Sequence, residues 1–75
     1  MPQIADLLKR FPLGELAIRR RYAEDATFRT ICEDYGEALH ALRYWQSTGT
    51  ASDEQLDQYR QLLGDLEEEV LRYIG

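Results

Sequence analysis

Residues 25–52 read DATFRTICEDYGEALHALRYWQSTGTAS, and this stretch decides the fold. Within it Phe28, Ile31, Tyr35, Ala38, Leu42 and Trp45 recur at alternating steps of three and four. That is the period of an α-helix that buries one face. Asp25 stands where an N-cap belongs, because its carboxylate can accept from a first-turn N–H with no intrahelical partner. Gly49 follows the last periodic residue, as a glycine that closes a helix in left-handed geometry does. The spacing predicts a helix over 26–47 and a turn over 48–52.

Residues 53–74 repeat the pattern with Leu56, Tyr59, Leu63, Leu66, Val70 and Tyr73. Ser52 and Gln55 make a capping box, Ser-x-x-Gln. Asp53 and Glu54 in the first turn and Arg72 in the last suit the helix dipole, and Glu68 with Arg72 forms an i,i+4 pair. Two amphipathic helices of equal length joined by a short turn predict an antiparallel hairpin.

The N-terminal third is less regular. Ile4, Leu7, Leu8 and Phe11 fit one short amphipathic helix. Pro12 ends or kinks it, since proline disfavours α geometry in the residue before. Pro12 can also open a second helix through Leu13, Leu16, Ala17 and Tyr22, weakened by Gly14. The expectation is an all-α chain, one domain over 1–75: short helices within 1–24, one or two of them, packed on a hairpin over 25–75. Whether they pack on their own hairpin or on a neighbour's stays open.

The whole chain sets limits. Its 75 residues suffice for one small domain. The single cysteine, Cys32, cannot form an internal disulfide. No stretch approaches the roughly 20 apolar residues a membrane span needs, and Pro2-Gln3-Ile4-Ala5-Asp6 lacks a secretory pattern, so a cytoplasmic location is expected. The net charge of −5 opposes nonspecific phosphate binding. The charge is uneven: Lys9, Arg10 and Arg19 to Arg21 are basic, whereas Glu67 to Glu69 lead an acidic C-terminal half.

The apolar surface is wider than one helix–helix seam. Cys32 and Leu39 flank the stripe of the first long helix, and Leu62 and Ile74 flank the second. Ile4, Leu7, Leu8, Phe11, Leu13 and Leu16 can cover part of that width. The remainder points to a second copy, a symmetric homodimer with a four-helix core. Gly36 and Gly64, each costing about 1 kcal/mol in a helix, either admit a close neighbour or are simply tolerated.

Asp25-x-Thr27-Phe28, Ile31, Asp34-Tyr35, Leu39 and Leu42, followed by Leu63-x-x-Leu66-Glu67-Glu68-Glu69-Val70, resemble the YdcH-like short bacterial proteins. The resemblance covers roughly residues 15–75. It implies a bacterial helical hairpin and no catalytic residue, because that family has no assigned function. It departs at Glu67, where the family tends to carry lysine, and in the added N-terminal helix.

Among motifs that could carry chemistry, Glu37-x-x-His40 matches the ligand pair of di-iron bundles. At 100° per residue the two lie 200° and 140° from Tyr35, away from the apolar stripe where such sites are built. Arg19 to Arg21 could touch phosphate, as in an RNA-binding hairpin dimer, but three consecutive arginines do not share one face. Glu67 to Glu69 read as a solvated face, free to meet Arg19 to Arg21 of another chain. No nucleophile set or phosphate loop is present. Tyr44 and Trp45 lie near the turn end, where a partner would dock; otherwise Trp45 caps the core. The resulting expectation is a non-enzymatic interaction or assembly module that holds no cofactor. It binds an unidentified protein partner through Tyr44, Trp45, Cys32, Leu39 and Leu62. A Glu37/His40 metal bundle and an RNA-binding dimer are the alternatives.

Overall fold

The computed structural model describes residues 4–75 and contains four α-helices. These are α1 (Ala5–Arg10), α2 (Glu15–Glu24), α3 (Ala26–Thr48) and α4 (Asp53–Ile74), with a 3-10 turn at Pro12–Gly14 between the first two. No strand occurs among the described residues, and none of their helices is long and apolar enough to cross a membrane.

The helix ends follow from local chemistry. The Asp25 carboxylate accepts from the Thr27 and Phe28 N–H groups at 2.9 and 3.1 Å. Asp25 itself is extended, which separates α2 from α3 by one residue. Arg29 pins that corner by donating from Nε to the Tyr22 carbonyl at 3.1 Å. Gly49 closes α3 with φ of 67°, a geometry glycine adopts without a Cβ penalty. Ser52 and Gln55 form both halves of the capping box.

α3 and α4 pack as an antiparallel hairpin, with the Phe28 ring near the start of one facing Tyr73 near the end of the other at 5.3 Å. α1 packs on α3, and α2 packs on both α3 and α4. The short helices therefore sit on their own hairpin. One core joins Leu7, Ile18, Phe28, Cys32, Tyr35, Leu42, Leu63 and Val70.

Three expectations about this packing are corrected. Cys32 is fully buried while Ile31 is only half-buried. The seam of α3 is thus turned toward the Cys32 side, where α1 and α2 lie. On α2 the buried residue is Ile18, while Ala17 is exposed. Leu13 and Leu16 cover nothing: they are 103% and 79% exposed, because burying Ile18 turns Leu16, two residues back, to the opposite side of the helix.

Glu67 also departs from its expected role on a solvated face. It accepts the Tyr35 hydroxyl hydrogen bond at 2.8 Å and lies 3.3 Å from Arg10 Nε. Its position between Leu63 and Val70 on the helical period puts it at the edge of the core. Tyr35, Glu67 and Arg10 tie α1, α3 and α4 together, and Arg43 with Asp6 at 3.5 Å adds a second tie to α1. Arg72 pairs with Glu69 at 3.1 Å rather than with Glu68.

Gly64 is exposed, and no neighbouring atom lies within 4 Å of where a Cβ would stand. No part of the described chain needs the glycine. Gly64→Ala is expected to raise stability by about 1 kcal/mol through helix propensity, seen as a higher urea midpoint. A lower midpoint would show that something else packs there.

Candidate functional site

The flank of the hairpin away from the Tyr35–Glu67–Arg10 tie is open. On α3 it presents Ala38, Ala41 and Trp45, at helical spacing; on α4 it presents Tyr59, Leu62 and Leu66. The two alanines are too short to fill the space opposite larger side chains, so the flank is concave. One cleft of about 330 Å³ lies at the turn end and is lined by Trp45, Ala51, Gln55, Gln58, Tyr59 and Leu62. A second, of about 350 Å³, continues along Ala38, Ala41 and Leu66. Tyr59 and Leu62 line both, so the two clefts adjoin along this flank and together make up its furrow.

The furrow has an apolar floor and an acidic rim. Asp34 and Glu37 line it from α3. Neither has an ion-pair partner among the described residues. Leu62 is 44% exposed, a large apolar side chain left partly in water.

The residues expected at an interaction surface divide. Trp45 and Leu62 meet in the furrow. Tyr44 is exposed and lies edge-on to Trp45 at 5.2 Å, on the outside of α3. Leu39 is half-buried against the core. Cys32 does not belong to any surface: the core covers it completely. Burial, reinforced by the Glu33 carboxylate, pushes its thiol up to about 11, so it is neutral and unreactive at pH 7. Tyr59, Leu66 and Ala38 belong to the helical stripes legible in the sequence, Ala41 does not, and only the fold sets the small side chains opposite the large ones.

Glu37 and His40 are both exposed. Glu37 belongs to the furrow rim, His40 does not, and no cluster of three or more potential ligands occurs among the described residues. In the arginine run, Arg19 pairs with Glu15 at 3.1 Å. Arg21 lies 3.7 Å from Asp25 and donates to the Tyr73 carbonyl at 3.1 Å. Arg20 is exposed and has no ion-pair partner among the described residues.

A second unpartnered feature stands on α2 and the turn before it. Leu13 and Leu16 project into water, and Arg20 follows Leu16 by one helical turn on the same face. The result is a protruding apolar knob, with Arg20 beside it on the rim of a further cleft of about 410 Å³ lined by Ala17, Arg21, Glu24, Tyr73 and Ile74.

The chain matches no protein family, no curated protein and no solved structure.

Proposed function

We propose that this chain is a small non-enzymatic interaction or assembly module of the bacterial cytoplasm, akin to the YdcH-like hairpins, and that it acts as a homodimer. The observation that carries this reading is the furrow between α3 and α4: apolar along its floor, acidic at its rim, with Leu62 partly exposed in its middle. Exposed apolar surface rimmed by polar groups favours association, since covering it removes apolar area from water at about 25 cal/mol per Å². Among the described residues Glu37 and His40 acquire no third ligand, and two of the three arginines are already engaged.

Sedimentation equilibrium tests the reading. The wild-type chain is expected to sediment as a dimer. Leu62→Asp, which sets a charge in the apolar floor, is expected to weaken the dimer by more than tenfold, as about 1.4 kcal/mol or more of lost association requires. A wild-type monomer at every concentration would overturn the proposal.

A further inference from the structure

The molecule presents one concave surface with an acidic rim and one convex surface with a basic edge, and within the chain neither meets the other. We infer that in the homodimer the α2 knob of one copy enters the furrow of the other, with Leu13 and Leu16 on the floor and Arg20 set against Asp34 and Glu37. This rests on the dimer proposed above and assigns its contact surfaces.

Three observations converge on a second copy as the occupant. The first is shape. Leu13 and Leu16 protrude, being 103% and 79% exposed, while the short Ala38 and Ala41 leave the furrow hollow.

The second is charge. Before Asp25 the chain carries five cationic and three acidic side chains, a net +2; from Asp25 onward it carries four cationic and eleven acidic ones, a net −7. The knob belongs to the positive part and the furrow to the negative part. Arg20 on one side and Asp34 and Glu37 on the other lack ion-pair partners within the described residues.

The third is the cost of the simplest alternative. A two-fold pairing of furrow on furrow would bring Asp34 and Glu37 of both copies to one interface, where like charges raise the energy. Knob in furrow exchanges that repulsion for opposite charges. A two-fold dimer makes the contact twice, since each copy gives one knob and takes one.

The geometry has a consequence that no furrow-on-furrow dimer shares. Leu16→Asp spoils the knob and leaves the furrow whole; Leu62→Asp does the reverse. Neither residue belongs to the buried core, and an unchanged thermal midpoint of each variant at low concentration is the control for folding.

Native mass spectrometry and sedimentation of the full-length chains, alone and mixed, give the test. Each variant alone is expected to dimerise at least tenfold more weakly than wild type. An equimolar mixture is expected to recover a heterodimer, distinguished by mass, because one intact knob then finds one intact furrow. Arg20→Glu is expected to weaken the dimer severalfold, and Glu37→Arg in the same chain to restore part of the loss.

A dimer lost in Leu62→Asp but unchanged in Leu16→Asp would overturn the knob assignment while leaving the dimer reading intact. So would a mixture that recovers no heterodimer. A Leu16→Asp chain that dimerises normally yet loses binding to phosphatidylserine vesicles would assign the knob to a lipid surface instead. A wild-type monomer would overturn both.

Discussion

Phe28→Ala is expected to remove about 3–5 kcal/mol of stability, the usual cost of truncating a fully buried aromatic. A chain of this length has in total about 4–11 kcal/mol, at roughly 0.05–0.15 kcal/mol per residue. The variant should therefore lose about a third or more of the total and melt well below wild type. The size of the effect follows from position. Phe28 is fully buried at the first turn of α3 and packs on Tyr73 of α4, and its N–H is held by the Asp25 cap. Truncation opens a cavity where the corner and both long helices meet. Far-UV circular dichroism on heating provides the check, with Phe28→Leu as a control expected to lose less than about 1.5 kcal/mol by keeping most of the volume. A cooperative transition near the wild-type midpoint in Phe28→Ala would contradict the packing described.

Alkaline pH is expected to destabilise the wild-type chain. Burial, with a smaller push from Glu33, raises the Cys32 thiol from 9.0 to about 11. Burial, the hydrogen bond to Glu67 and the Glu67 charge raise the Tyr35 hydroxyl from 10.0 to about 12, against an opposing pull from Arg10. Both groups are neutral in the folded chain and ionise more easily once it unfolds. Their contribution is complete below pH 9. Stability then falls by roughly 1.4 kcal/mol per pH unit from 9, where the unfolded thiol ionises, and by about twice that once the unfolded tyrosine ionises above 10. Cys32→Ala deletes the first step, so its decline should begin near 10, although its neutral-pH stability is lower by the cost of the cavity. Urea unfolding at increasing pH would test this, and a stability unchanged up to pH 11 would falsify the account.

Much of the architecture was legible because its signals are local. Asp25, Gly49, Ser52 and Gln55 act within one turn of their own backbone, and a reader can place α3 and α4 to within a residue from them. Pro12 likewise foretold the break between α1 and α2. The errors arise where the decision is tertiary. A stripe with Ile31 on one edge and Cys32 on the other does not reveal which edge will be covered. That depends on where the short helices land. The same is true of α2 and the turn before it, where Leu13 and Leu16 looked buriable and Ile18 proved to be the anchor. Glu67 shows a subtler limit. In sequence it belongs to an acidic run, yet its place between Leu63 and Val70 marked it for the core edge. Glu67 meets Arg10 of α1, where a lysine would face a like charge. Of the candidate surface, Trp45 and Leu62 were anticipated individually. Their meeting across two alanines was not, because concavity belongs to a pair of helices.

The capped turn between α3 and α4 bears on the rate at which the chain folds. Four residues, 49–52, join helices that pack on each other along their length, so the main interface zips outward from a small closed loop. Loop-closure entropy is low at every step, since each new contact encloses only slightly more chain than the last. Such topologies reach the native state in microseconds to milliseconds, and they leave little time for a half-formed hairpin to display its apolar stripe to other molecules.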